Sequence, residues 1–328
     1  MTEKNVVQTI HDTLWESMKD DERVLILGED VGARGGVFRA TAGFLDEFGE
    51  MRVIDTPLAE SSIVGVAIGM ALHGLLPVAE IQFADFIHPA FDQLVSEAAR
   101  MRYRSNGDWT CPMVVRAPWG GGVHGALYHS QSIEAFYGHV PGLKVVVPAT
   151  PYDVKGLLLA AINDPDPVLF LEHKKTYRLI KGDVPDEPYE VPIGKADAKR
   201  EGEDLTVIAY GLMLHHCLEA AGRLQEEEGF STEVVDVRTI APLDKQTILE
   251  SVRKTGKALV VYEDNRTYGA GGEISATIAE EAMFDLDAPV VRLGGPDVPA
   301  MGFAGPLEHA FMPDVEKIYE QMKELAKF

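Results

Sequence analysis

The sequence predicts an α/β protein in which a doubly wound parallel-sheet domain is followed by a smaller second α/β domain. Three observations predict this. Short apolar runs such as Val24-Leu25-Ile26-Leu27 end in turn residues, as fully buried parallel strands do. These runs alternate with segments of helical periodicity. A polar stretch containing Pro185, Pro188 and Pro192 then interrupts the alternation.

Element by element, Val6, Val7, Ile10 and Leu14 fall at helical spacing and open the chain with an amphipathic helix. The strand at 24–27 closes on Gly28-Glu29-Asp30. A small-residue helix is expected over Ser61–His73, a strand over Pro77–Ile81, a helix over Ala90–Arg104 and a strand over Met113–Arg116. A strand over Leu143–Val147 follows. The next helix, Pro151–Ile162, begins Pro-Tyr-Asp, which suits a first turn, and leads to a strand at Val168–Glu172. Residues 1–180 are therefore assigned to the first domain, and residues 181–204, with no sustained apolar period, to a linker. In residues 205–328, strands at Thr206–Ala209, Glu233–Val237, Ala258–Tyr262 and Pro289–Leu293 alternate with helices at Leu212–Glu227, Lys245–Lys254, Gly272–Met283 and Val315–Ala326.

Composition narrows the function. Asp and Glu outnumber Lys and Arg by 52 to 30 among 328 residues, and a net charge of −22 disfavours free nucleic acid as a partner. Two readings of the acidic excess stand: a solvated surface, or a docking face for a basic protein module. The two cysteines, Cys111 and Cys217, lie far apart in no metal-ligand spacing, which fits a reducing compartment rather than a disulfide framework. No apolar stretch approaches the roughly 20 residues of a membrane span, and the first residues lack a signal-peptide pattern. The expected location is the bacterial cytoplasm, although a mature organellar protein would read the same way.

Four stretches carry a resemblance: Leu27-Gly-Glu-Asp-Val31 with Gly35-Gly-Val-Phe38; Asp55-Thr-Pro-Leu-Ala-Glu-Ser61; Glu80-Ile-Gln-Phe-Ala-Asp-Phe86; and His124-Gly-Ala-Leu-Tyr-His-Ser-Gln-Ser132. In order and spacing they resemble the beta subunit of the decarboxylating component of 2-oxo acid dehydrogenases, most of all the branched-chain enzymes. The resemblance continues through Pro141–Val145, Thr150–Asp153 and Pro192–Ala196 to Val237–Leu243. It implies a transketolase-like pyrimidine-binding domain followed by a transketolase C-terminal-like domain. It further implies an alpha-two, beta-two heterotetramer and thiamine diphosphate, whose thiazolium carbon attacks the 2-oxo group and whose ring stores the electrons left by carbon dioxide.

On its own, Glu60 reads as a helix-start carboxylate favoured by the macrodipole. The resemblance makes it the acid that hydrogen-bonds the cofactor's aminopyrimidine and shares a proton with it. Phe86, otherwise a core ring, is placed against the aminopyrimidine; Gln82 is placed within hydrogen-bonding reach, and Glu80 beside Glu60. His129, which alone reads as a solvated loop histidine, is placed near the substrate carboxylate and in acyl transfer to lipoamide, with His124 ordering the loop.

The glycines at 120–122 match neither a P-loop nor a dinucleotide fingerprint. The thiamine family's Gly-Asp-Gly and Asn-Asn motif for magnesium and diphosphate is also absent, since Gly107-Asp108 continues with Trp109 and Gly182-Asp183 with Val184. Half a cofactor site is therefore expected here, and the alpha subunit is expected to hold the magnesium. By the same resemblance, a structural potassium ion falls to Cys111, Met113, Val114, Ala161, Asp164 and Asp166. A lipoyl acyltransferase is expected to dock its basic subunit-binding domain at Glu281, Asp285 and Phe328. Pyruvate or acetoin dehydrogenase beta subunits, a single-chain transketolase fragment and a non-catalytic scaffold remain as rivals.

Overall fold

The computed structural model describes residues 1–328, which fold as two compact units: Met1–Trp119 with Phe136–Ile193, and Gly120–Ala135 with Gly194–Phe328. The first unit holds strands β1 (Thr2–Asn5), β2 (Val24–Gly28), β3 (Val53–Asp55), β4 (Leu76–Glu80), β5 (Val114–Trp119), β6 (Lys144–Val146), β7 (Val168–His173) and β8 (Lys181–Val184). Six of these line up as β6-β7-β5-β4-β2-β3, and every neighbouring pair is parallel. Parallel neighbours require crossover connections, so both faces become covered, and β2 accordingly buries all five of its residues.

The opening helix, Val6–Asp20, starts at a capping box. Gln8 N–H donates to Asn5 Oδ1 at 2.9 Å, and Asn5 N–H donates to Gln8 Oε1 at 3.0 Å. Its Ile10, Leu14 and Met18 are wholly buried with Val154, Leu157 and Leu158 of the helix Pro151–Asn163, over sheet residues Ile26, Val78 and Phe170. Each such side chain contributes about 1.5–3 kcal/mol. The sheet is thus backed by a rigid helical layer, and the C-terminal ends of its strands are free to carry polar chemistry.

The expected helix over Ala90–Arg104 is broken. A 3₁₀ turn at His88–Ala90 and a π-helical stretch at Gln93–Ala98 precede the helix Met101–Arg104, with Ala99 N–H donating to Leu94 O at 3.0 Å. The 181–204 segment, expected as linker, contains two strands. Antiparallel to β1 runs β8, while β9 (Asp197–Arg200) pairs antiparallel with β11 of the second unit. Backbone pairing, with mostly polar side chains, forms these edges, so apolar periodicity could not reveal them.

The second unit continues with β10 (Leu205–Ala209), β11 (Thr232–Asp236), β12 (Thr239–Ala241), β13 (Ala258–Asn265) and β14 (Val291–Gly295). Its sheet runs β14-β13-β10-β11-β9, parallel except for β9. Helices Leu212–Glu228 and Lys245–Thr255 both stop at glycines in the left-handed region, Gly229 (φ 82°) and Gly256 (φ 70°). Both units are α/β, the class read from the sequence.

Candidate active site

Glu60 is the first residue of the thirteen-residue helix Glu60–Leu72, which follows the C-terminal end of β3, and is only 9% exposed. Its carboxylate accepts no hydrogen bond from this chain. Nearby, burial together with the charges of Glu60 and Asp30 raises the Glu29 carboxyl above its ordinary range. The Thr56 hydroxyl oxygen is buried without a partner at the same strand end. On the helix, Ala67 and Ala71 face the core, Gly65 is half-buried beside Gln93, and Ser62, Val66 and Gly69 are exposed.

Gln82 donates its amide to Asp30 Oδ2 at 3.2 Å. Phe86, half-buried, meets Phe83 edge-on at 5.7 Å; Phe83 in turn meets Phe38 at 5.6 Å. Glu80, at the end of β4, belongs to a buried ion network. Arg116, 1% exposed on β5, donates to Glu80 Oε2 at 2.8 Å and bidentately to Glu172 at 2.6 and 2.9 Å. Tyr177 donates to Glu172 at 2.6 Å. Burial raises the Glu80 carboxyl while Arg116 pulls it down. Glu80 thus faces Arg116, and an added Cβ on Gly36 would come within 2.9 Å of Glu80 Oε1. Close glycine approach and ion pairing together fix Glu80, two residues before Gln82.

His129 lies in the second unit, on a loop closed at its base by Gly120 N–H donating to Gln131 O at 3.1 Å. Four loop residues have left-handed backbone: Gly120 (φ 81°), Gly122 (φ 78°), His124 (φ 56°) and Ala126 (φ 56°). A Cβ on Gly125 would fall 2.5 Å from His129 O and 2.7 Å from His129 Cβ, so the chain folds tightly onto His129 there. His124 pairs through Nδ1 with Glu308 at 2.8 Å.

Among the potassium candidates, the 111–114 and 161–166 segments meet, with Cys111 N–H donating to Pro165 O at 3.1 Å. The carbonyls of Met113 and Ala161 each accept one backbone bond. Burial, reinforced by Asp166, pushes the Cys111 thiol up to about 12. The carboxylate of Asp164 is taken by Lys144 at 2.6 Å and that of Asp166 by Arg102 at 2.7 Å. On the second unit, Glu281 pairs with Lys245 at 3.5 Å and Asp285 with Arg253 at 3.4 Å, while Phe328 is exposed. Met283 and Phe284 beside them are exposed as well.

Sequence comparison agrees with this anatomy. The profile described as "Transketolase, pyrimidine binding domain" matches residues 3–180, and "Transketolase, C-terminal domain" matches residues 194–318. Over 100% of both chains, the sequence is 58% identical to the 2-oxoisovalerate dehydrogenase subunit beta of Bacillus subtilis (strain 168). The chain belongs to the 2-oxo acid dehydrogenase beta-subunit family. This family is thiamine-diphosphate-dependent, and its members are subunits of multi-subunit dehydrogenases. Two pyruvate dehydrogenase E1 component beta subunits follow: that of Acholeplasma laidlawii at 51% identity over 98% of each chain, and that of Bacillus subtilis (strain 168) at 49% over 100%. A solved structure described as a split-gene transketolase, an inactive beta4 tetramer, superposes with a TM-score of 0.80 over 98% of each chain at 23% identity, and speaks for the fold alone.

Several residues that shape these regions escaped the sequence reading: Arg116, Glu172 and Tyr177 in the first unit, and Glu134, Glu263 and Glu308 in the second. The available signal was a charge inside an apolar strand, since Arg116 interrupts Val114–Trp119 and Glu172 interrupts Val168–His173. A buried charge implies a buried partner.

Proposed function

We propose that this chain is the beta subunit of an enzyme that oxidatively decarboxylates branched-chain 2-oxo acids and passes the acyl group to lipoamide on an acyltransferase. The observation that carries the reading is the uncommitted carboxylate of Glu60, nearly buried at the start of a helix that follows the C-terminal end of β3. Such a group fits an aminopyrimidine, because it has acceptor capacity to spare. Thiamine diphosphate, when bound, supplies the nucleophile and electron sink. With the cofactor bound, Glu60 would share a proton with a pyrimidine ring nitrogen, Phe86 would pack the ring, and Gln82, oriented by Asp30, would offer a hydrogen bond. Arg116 keeps Glu80 in place below them. His129 pairs with the substrate carboxylate and moves a proton during acyl transfer.

The alpha subunit completes the heterotetramer and brings magnesium. Support comes from the missing metal motif and from the exposed Leu58 and Val66 flanking Glu60, apolar surface that a second chain would cover. Potassium is assigned to backbone oxygens at 111–114 and 161–166; a higher melting temperature in potassium than in sodium chloride checks this. The basic module of the acyltransferase is assigned to Glu281, Asp285 and Phe328, with the exposed Phe284 as an apolar contact. A bacterial cytoplasmic location is in keeping with the bacterial relatives. The pyruvate alternative rests on the 51% and 49% relatives.

The test is decarboxylation, read with an artificial electron acceptor, by the chain alone and with its cognate alpha subunit, on 3-methyl-2-oxobutanoate and pyruvate. Activity only in the mixture, faster on the branched acid, is expected. Activity of the chain alone overturns the half-site, whereas a pyruvate preference discards the substrate class only.

A further inference from the structure

The loop that carries His129 is spanned by two buried carboxylates from the far end of the sequence. Glu308, 5% exposed on the helix Gly305–Phe311, accepts with Oε1 from Gly122 N–H at 3.1 Å and from His124 N–H at 2.9 Å, while Oε2 faces His124 Nδ1 at 2.8 Å. Glu263, 1% exposed on β13, accepts from Gly121 N–H and, at 3.3 Å, from the Ser132 hydroxyl. The Met301 side chain lies over Gly121, where a Cβ would meet it at 2.4 Å. Beyond the loop, Glu134 is wholly buried and accepts from Tyr210 O–H at 2.8 Å.

Without these acceptors, three consecutive or near-consecutive backbone donors would have nothing in the chain to meet, and the left-handed backbone at His124 and Ala126 would be unsupported. Non-glycine residues in that region persist only where their surroundings over-determine them. Anionic acceptors give the stronger class of hydrogen bond to backbone N–H groups. The same bonds fix where the loop returns, and the tight contact of Gly125 against His129 transmits that placement to the imidazole.

We infer that Glu308 and Glu263 are positioning residues: a two-point latch that holds the 120–131 loop and thereby sets the place of His129. The inference rests on the catalytic reading of His129 given above. It predicts that the latch acts through His129 and not through general stability.

The experiment uses the full chain with its alpha subunit. Glu308→Ala is expected to lower kcat/KM by on the order of 10²-fold, the scale set by misplacing a catalytic group by an ångström. In a His129→Ala background the same substitution is expected to add almost nothing, because residues acting as one unit are not additive. Hydrogen exchange at the Gly122 and His124 amides should accelerate by about tenfold or more in Glu308→Ala, and Glu308→Gln should restore much of the protection, since its amide oxygen still accepts. Full activity in Glu308→Ala, losses that simply add in the double variant, or unchanged exchange at both amides would each overturn the latch. Unchanged activity in His129→Ala overturns the reading of His129 alone, and the exchange measurement then still decides whether the latch orders the loop.

Discussion

Glu60 and His129 are presented by opposite means. Glu60 stands on the first turn of a thirteen-residue helix packed on a parallel sheet whose strands β4, β5 and β7 are joined by the Glu80–Arg116–Glu172 ion network. His129 stands on a loop whose backbone repeatedly enters the left-handed region and whose amides are held by carboxylates more than 140 residues away in sequence. The first arrangement depends on local chain geometry, the second on long-range tethers. A helix start keeps its direction when one neighbour is lost; a latched loop does not.

This contrast can be broken at several points. The largest effect is expected at Glu60→Gln: decarboxylation with the alpha subunit should fall by about 10²–10⁴-fold with the melting temperature unmoved, as for removal of a general acid–base group. Retained activity there would falsify the assignment of Glu60. Next, Arg116→Met leaves Glu80 and Glu172 buried without their cation and should cost about 3–5 kcal/mol in urea denaturation. If that variant instead loses activity at full stability, the network steers chemistry rather than bracing the fold. Gly125→Ala should cost about 1–3 kcal/mol or displace the loop, because the new Cβ collides with His129. A crystal structure or the activity of the variant shows which.

A pH effect separates the two regions more finely. Burial raises the Asp264 carboxyl in the second unit from 3.8 to about 6, and burial with Asp264 and Glu263 nearby raises Glu134 well above the ordinary carboxylate range. A carboxyl whose folded pKa lies above its unfolded one holds its proton more tightly when folded. Its stabilisation is therefore present below pH 4 and lost as pH rises through about 6. The loss of melting temperature between about pH 4 and 7 should be smaller in Asp264→Asn than in the native chain. The smallest effect belongs to His124→Ala: its imidazole is 63% exposed, so the pair with Glu308 should contribute no more than about 1 kcal/mol to unfolding stability.

Much of the first unit could be read from sequence because its signals are local. Buried strands, the capped opening helix and the helix behind Glu60 announce themselves in apolar period and turn residues, and the expected strand bounds fall within one to three residues of those found. The resemblance supplied the candidate roles of Glu60, Gln82, Phe86 and His129, which spacing alone left at their ordinary structural readings. What stayed hidden was pairing. No local pattern ties Arg116 to Glu172, Glu308 to Gly122 or Lys181–Val184 to Thr2–Asn5, because each partner is chosen by the tertiary fold. The π-helical stretch at Gln93–Ala98 likewise arises from packing that helical periodicity does not encode.

The latch also orders events during synthesis. Gly122 and its acceptor Glu308 are separated by 186 positions, so a growing chain exposes the loop long before the glutamate that fastens it has been made. Until then Gly122 and His124 lack their acceptor, whereas the helix bearing Glu60 forms from neighbours already emerged. The chain therefore matures in sequence, with its acid in place early and its histidine last.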